Sequence, residues 1–146
     1  MKRNSRGFTL VEILIVVIIL GILAAIVIPQ FTNASNDARN NSVASTLQTM
    51  RGQIELFKIQ HADTAPKDFT ALPLCLTNKT TAADTTGTGG AGTLGPYVQS
   101  FPVNPVNGSA TVAGAFAAGV GWVYTASGGQ YTVQAVNTGG TGVLTY

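Results

Sequence analysis

The sequence is poor in the side chains on which most enzymes and metal centres depend. Its 146 residues include one Cys, one His and few charged residues, eight basic and six acidic. A single Cys excludes an intrachain disulfide framework and the multi-cysteine zinc patterns. Three of the basic residues lie in the first seven positions, so the net charge of +2 belongs to the N-terminus and does not favour nucleic-acid binding.

Charge is absent from the C-terminal part of the chain. No charged side chain follows Asp84, and 14 of the 17 glycines lie from Gly87 onward. General acid–base and nucleophilic sites need partnered groups that this region lacks, so we predict no enzyme activity, no cofactor and no metal. We expect His61 to be an exposed cap at a helix end, and Cys75 a buried thiol that behaves as a small hydrophobe.

One long apolar run dominates the N-terminus. Of the 21 residues 8–28, 18 are apolar and only Glu12 is charged. As a helix this segment is roughly 32 Å long, against about 30 Å of bilayer hydrocarbon, which predicts a transmembrane helix. A cleaved signal peptide is the alternative, although its apolar core is normally only about 7 to 15 residues long. The basic leader predicts a cytoplasmic N-terminus.

Glu12 needs an explanation, because a carboxylate inside an apolar helix costs about 2.5 to 3.5 kcal/mol on insertion scales. One interpretation places Glu12 at the membrane boundary, where its carboxylate reaches water. The other is that a partner compensates the charge. The surrounding residues favour the second interpretation: a basic leader precedes them, the apolar run follows, and the sequence between reads Gly7-Phe8-Thr9-Leu10-Val11-Glu12.

This N-terminus resembles the cleavage motif of type IV prepilins and type II secretion pseudopilins. The resemblance implies that a membrane-embedded prepilin peptidase cuts after Gly7 and methylates the new amine of Phe8. It also implies that Glu12 pairs with the Phe8 amine of a neighbouring subunit when helices pack in a filament. Removing one partner of a buried pair costs about 3 to 5 kcal/mol, so such a pair would fix the stagger between subunits.

The resemblance predicts a structural subunit of a type IV pilus-like filament or a type II secretion pseudopilus. Implied partners are other copies of the chain, related minor pilins or pseudopilins, the prepilin peptidase, the inner-membrane assembly platform with its ATPase, and membrane lipid. The implied location is the bacterial inner membrane, with the assembled filament in the periplasm or at the cell surface. The alternative is a bitopic inner-membrane protein whose external domain binds a ligand or partner without polymerising.

Pro29 ends the apolar run. Proline lacks an amide hydrogen and clashes one turn back, so it is expected to kink or locally melt the helix near residues 23–29, helped by Gly21. Pilins similar to this chain carry a proline at the matching position, where it is associated with helix melting in the filament. A simple membrane exit point is the alternative interpretation.

The rest of the chain predicts an α+β head on the same helix. Apolar residues spaced mostly three or four apart indicate an amphipathic helix: Ala34, Ala38, Val43, Leu47, Met50, Ile54 and Phe57. The predicted organisation is a leader at 1–7, a transmembrane and assembly helix at 8–30, an amphipathic helix at 31–62, and a globular head at 63–146. Residues 77–93, rich in Thr and Gly, predict an irregular, mobile loop.

Short strands are predicted at 121–126 and 130–136, separated by a Gly-bearing hairpin turn, with a possible third strand at 143–146. Their large apolar side chains are expected to cover the helix stripe: Trp122, Tyr124, Tyr131 and Val133. The proline-containing segment 97–108 also resembles, more weakly, the segment before the first sheet strands of pseudopilin-like heads. The chain departs from two family patterns: it lacks a second Cys for a C-terminal disulfide, and it lacks acidic calcium ligands after Asp84.

Overall fold

A computed structural model describes residues 7–90, 92–140 and 142. Two helices precede a small sheet, and the elements in chain order are α1 Leu10–Gln60, α2 Ala71–Thr77, β1 Val112–Ala113, β2 Trp122–Ser127 and β3 Gln130–Ala135. The chain divides into two compact units, Met1–Asp37 and Ala38–Tyr146. The predicted α+β architecture, with a long N-terminal helix and a small C-terminal sheet, is confirmed.

The first unit contains the apolar part of α1, which is long and apolar enough to cross a membrane. Every large apolar side chain from Leu10 to Ile28 is at least half exposed. An isolated helix that is apolar on all sides has no core of its own to pack on, so this surface requires lipid or other helices.

The second unit builds its core on one face of α1. Val43, Leu47, Met50, Ile54 and Phe57 are buried, at the three- and four-residue spacing that places them on one side of a helix. The buried stripe starts later than expected, however.

Ala34 and Ala38 were expected to belong to this stripe, and both are exposed. Val43 is the first residue of α1 in the core cluster, so nothing in that cluster covers the two preceding alanines.

The sheet consists of a hairpin and one very short extra strand. β2 and β3 pair antiparallel from Trp122↔Ala135 to Ser127↔Gln130, which confirms both predicted strands to within one residue. Gly128 and Gly129 form the two-residue turn with φ of 57° and 80°, as a type I′ hairpin requires. β1 pairs in parallel with β2 and was not predicted. The possible strand at 143–146 lies outside the described residues.

One face of the hairpin covers the helix stripe as expected. Trp122, Tyr124 and Val133 are buried in the same cluster as Val43 to Ile54 of α1, and Tyr131 packs at its margin. The polar atoms of the buried Trp122 and Tyr124 side chains have hydrogen-bond partners. Trp122 Nε1 donates to the Pro102 carbonyl oxygen at 2.8 Å, and the Tyr124 hydroxyl donates to that of Pro66 at 2.8 Å.

The segment 97–108 has no regular structure and is attached to the sheet by side-chain amides. Asn104 is fully buried, and its Nδ2 donates to the carbonyl oxygens of Gly121 and Val136 at 2.8 and 2.9 Å. Asn107 Nδ2 donates to the Val120 carbonyl oxygen at 2.8 Å. Two asparagines thus connect this segment to residues that flank β2 and β3.

The short helix α2 was not predicted. Asp68 stabilises its beginning, because one carboxylate oxygen accepts the amide hydrogens of Thr70 and Ala71 at 3.0 and 2.9 Å. The Thr70 hydroxyl and then the Ala71 amide hold the pKa of Asp68 below its usual value. Cys75 lies on the buried side of α2, which confirms the expected buried thiol.

After the end of α2, the described residues of the Thr- and Gly-rich segment 77–93 are irregular, as predicted, with one isolated bridge between Thr80 and Leu94. Its order comes from Asp84, whose carboxylate accepts the amide hydrogens of Thr86, Gly87 and Gly89 at 2.9 to 3.0 Å. These hydrogen bonds give the loop local contacts that its composition does not indicate, and its mobility stays a prediction.

Candidate functional site

The expected cleavage site lies immediately before α1. Gly7 and Phe8 lie outside any helix or strand, and Phe8 is 83% exposed. A Cβ added at Gly7 would meet no atom of the described residues within 4 Å. None of the described residues therefore crowds the side-chain position of Gly7, next to the peptide bond that is expected to be cut.

Thr9 and Glu12 form a capping box at the start of α1. The Glu12 carboxylate accepts the amide hydrogen of Thr9 at 2.9 Å and its hydroxyl hydrogen at 2.8 Å. In return, the Glu12 amide donates to the Thr9 hydroxyl oxygen at 3.2 Å. Two amide groups that lack helical partners at an N-terminus are thereby satisfied.

The capping box gives Glu12 a partner within its own chain, which the sequence analysis missed. The signal was present, since a threonine followed three residues later by a glutamate, just before an apolar run, is the pattern of a capping box. The carboxylate also lies at the positive end of the helix dipole. Glu12 is thus held in the first turn, two residues beyond the helix start and close along the chain to Phe8.

Pro29 lies inside α1, which is helical throughout Leu10–Gln60. Of the two expected effects near residues 23–29, a kink or local melting, the melting is therefore absent from the single chain, and the kink stays a prediction. One turn later, the Thr32 hydroxyl donates to the Ile28 carbonyl oxygen at 3.1 Å, a contact that bends helices slightly. Pro29 is 17 residues beyond Glu12, about 25 Å along the axis, so the two do not form one site.

The expectation that His61 is an exposed cap is wrong. The His61 side chain is 1% exposed and stacks on Phe57 with ring centroids 3.7 Å apart. Nδ1 is 2.8 Å from the Phe57 carbonyl oxygen, and Nε2 is 3.0 Å from the Thr80 hydroxyl.

A helix end explains the burial of His61. The last four carbonyl groups of a helix have no helical donor, and the His61 ring supplies one to Phe57 while covering its apolar ring. Because a carbonyl oxygen only accepts, Nδ1 carries the hydrogen. In the neutral ring, Nε2 then accepts a hydrogen bond from the Thr80 hydroxyl.

The head carries no constellation of reactive groups among the residues that the structure describes. No group of three or more His, Cys, Asp or Glu side chains lies close enough to hold a metal ion in that part of the chain. Burial raises the pKa of the Cys75 thiol to about 12, which keeps it protonated and unreactive. The N-terminal segment is therefore the candidate functional site.

Comparison with known proteins agrees with this assignment. The sequence model of the family described as the prokaryotic N-terminal methylation motif matches residues 2–28. Type II secretion system core protein G of Dickeya chrysanthemi is 34% identical over 62 residues, which are 42% of this chain and 40% of that protein. The Klebsiella pneumoniae protein of the same name is 35% identical over 60 residues, 41% of this chain and 43% of that protein.

A second group of relatives is fimbrial. Type IV major fimbrial protein FimA of Dichelobacter nodosus is 49% identical over 55 residues, 38% of this chain and 35% of that protein. The chain thus spans about two fifths of the length of the curated relatives it matches. No solved structure matches it significantly. The chain carries the prokaryotic N-terminal methylation motif, in a sequence similar to type II secretion core proteins and type IV major fimbrial proteins.

Proposed function

We propose that this chain is a structural subunit of a type IV pilus-like filament or a type II secretion pseudopilus, which polymerises through its N-terminal helix. One observation carries the proposal. The methylation motif at residues 2–28 includes the first part of α1, residues 10–28, whose large apolar side chains are all exposed in the single chain. Such a surface needs lipid before assembly and neighbouring helices after it.

Processing comes first in the proposed sequence of events. A prepilin peptidase cuts after Gly7 on the cytoplasmic side and methylates the amine of Phe8. The open surroundings of Gly7 support this step, because a peptidase must approach the backbone closely. The mature chain keeps its whole apolar helix and stays in the inner membrane with the head outside.

Assembly then pairs Glu12 with the Phe8 amine of a neighbouring copy. The capping box is compatible with this pairing, because Glu12 bonds to Thr9 and not to Phe8, so cleavage after Gly7 leaves those hydrogen bonds intact. A carboxylate oxygen accepts more than one hydrogen bond, so Glu12 retains capacity for an ammonium group. The remaining partners we propose are related minor pilins or pseudopilins and an inner-membrane assembly platform with its ATPase.

The test measures processing and polymerisation on one preparation. Cells that express the chain with the peptidase and platform are sheared, and the released material is examined by electron microscopy and N-terminal mass analysis. We expect filaments whose subunits begin with methylated Phe8. Membrane-bound chains that keep Met1 and release no filaments would instead support the bitopic protein.

A further inference from the structure

Asn107 and Gly108 form the single Asn-Gly pair of the chain, in the segment 97–108 that is attached to the sheet. This pair is chemically labile, because glycine has no side chain to hinder attack of its own backbone nitrogen on the side-chain carbonyl carbon of the preceding asparagine. Gly108 is exposed, and a Cβ added there would meet no described atom within 4 Å. Exclusion of solvent therefore does not protect this asparagine.

The fold depends on both members of this labile pair. Gly108 has a φ of 72°, in the left-handed region that residues other than glycine rarely adopt. Asn107 Nδ2 donates to the carbonyl oxygens of Val120 and Val136 at 2.8 and 3.3 Å, next to β2 and β3. Replacing either residue would introduce backbone strain or remove these hydrogen bonds.

Hydrogen bonds also restrain the two groups that would react. The Gly108 amide donates to the Asn104 carbonyl oxygen at 2.8 Å, so its nitrogen is not free to lose that hydrogen and attack. Asn107 Oδ1 accepts the amide hydrogen of Ser109 at 3.1 Å, which fixes the other end of the side-chain amide. Ring closure between the two residues therefore requires that this turn first open.

We propose that Asn107 is a deamidation site, which the closed head protects and which reacts when the segment 97–108 opens. The Gly108 backbone nitrogen gives its proton to water and attacks Asn107 Cγ, so that an N–Cγ bond forms. The Cγ–Nδ2 bond breaks, and ammonia leaves with a proton from water. Water then opens the resulting succinimide at either carbonyl carbon, which yields aspartate or isoaspartate.

The product cannot restore the contacts of the closed head. A carboxylate only accepts hydrogen bonds, whereas the carbonyl oxygens of Val120 and Val136 need a donor. The product is also the first charged side chain in the sequence after Asp84. Each modified chain thus keeps a permanent record that its head has opened.

The test compares the full chain, folded in detergent and unfolded in urea, at one mildly alkaline pH, with peptide mass mapping over time in ¹⁸O water. In the unfolded chain we expect Asn107 to react before Asn78, which is followed by the bulkier Lys79, and to give isoaspartate that carries the heavy oxygen. In the folded chain the same reaction should be about tenfold slower or more, because only open molecules react. Equal rates in the two states, or an unfolded chain in which Asn107 keeps its amide, would overturn the proposal.

Asn104→Ala tests whether the attachment to the sheet provides the protection. It removes the two hydrogen bonds from Nδ2 of Asn104 and should accelerate deamidation of Asn107 in the folded chain. The matched control is Asn78→Ala, which removes a side-chain amide bond of 2.9 Å to the Gly87 carbonyl oxygen, outside this segment, and should leave the rate unchanged. Equal rates in two folded variants would contradict the protection, and if Asn104→Ala does not fold, the comparison of folded and unfolded unmodified chain decides.

The consequence of the reaction is measured with Asn107→Asp, which has the side chain of the aspartate product. We expect a lower urea midpoint for the head than in the unmodified chain. Asn41→Asp makes the same change at an exposed position of α1 and should leave the midpoint nearly unchanged. An unchanged midpoint for Asn107→Asp would show that the product closes normally. None of these measurements needs filaments, so their outcomes are independent of the proposed function.

Discussion

At the scale of single residues, Glu12 carries two separable roles. Its hydrogen bonds to Thr9 begin the helix, and its charge is available to a neighbouring amine. Substitutions can divide the two roles, because glutamine serves at this position of a capping box as well as glutamate does but carries no charge.

We expect Glu12→Gln and Glu12→Leu subunits to be cut after Gly7 and to accumulate in the membrane, yet to form few or no filaments. Insertion of Glu12→Leu should be easier by up to about 2.5 to 3.5 kcal/mol, while the unpaired Phe8 amine costs several kcal/mol in the assembled core. Sheared-filament yield and N-terminal sequencing of the same preparation provide the readouts.

Thr9→Val is the control variant for the Glu12 substitutions, because it weakens the helix cap without changing the charge. It removes the hydroxyl but keeps the charge of Glu12, so it should cost the helix start about 1 kcal/mol and still permit assembly. If Thr9→Val abolished filaments while Glu12→Gln kept them, capping and not charge pairing would be the role of this turn.

Gly7→Leu is expected to leave an uncut, membrane-inserted precursor. No described atom lies within 4 Å of the added Cβ, so the fold tolerates the substitution and the obstruction arises in the peptidase. Immunoblotting of membranes should show the full-length chain alone. Recovery of chains that begin at Phe8 would contradict this reasoning.

The contact between His61 and Thr80 provides another residue-scale prediction. Thr80→Val removes the hydroxyl that donates to Nε2 of the buried histidine, and an unsatisfied buried group costs about 1 to 3 kcal/mol. Thr81→Val, at the exposed neighbouring position, should change the free energy of unfolding by less than about 0.5 kcal/mol. The change in the free energy of unfolding is obtained from the denaturant midpoints of the two variants and of the unmodified chain.

At the scale of elements, the sequence predicts the helices and strands that are specified by a pattern of neighbouring residues. The β2–β3 hairpin follows from alternating large side chains around Gly128 and Gly129, and α1 follows from its periodicity. α2 and β1 have no such signal: α2 has seven residues and contains Pro73, and β1 has two residues. Both depend on tertiary contacts, as does the burial of His61, which needs Thr80 from a distant segment.

The loop centred on Asp84 should be sensitive to acid. The amide of Thr86 is the largest of the contacts that hold the pKa of Asp84 below its usual value. A depressed pKa in the folded state stabilises the protein above about pH 4, the pKa of a free aspartate, and this stabilisation is lost as pH falls through the folded value. Asp84→Asn should therefore be less stable at pH 7 and show a shallower loss of stability towards pH 3, measured by urea unfolding.

At the scale of the whole molecule, the two units differ in whether they bury their apolar side chains within the chain. The second unit has its own core on α1, whereas the first exposes its apolar side chains. The apolar run and the amphipathic stripe follow one another in the sequence. The sequence does not predict where the buried stripe begins, since Ala34 and Ala38 continue the apolar spacing but are exposed.

A chain that begins at Phe31 is therefore expected to be soluble and monomeric. It lacks the apolar run but keeps the helix stripe and the sheet that covers it. Analytical ultracentrifugation should show one species of monomer mass up to high concentration. Stable filaments of this fragment would mean that assembly does not depend on the N-terminal helix.

Because Cys75 is buried, the reaction of its thiol reports local opening of the head. Burial raises the pKa of the Cys75 thiol to about 12, so the thiol stays protonated at neutral pH, and its place in α2 keeps it from solvent. A thiol-directed reagent can then react only after the head opens locally. The labelling rate would measure how often α2 separates from the core.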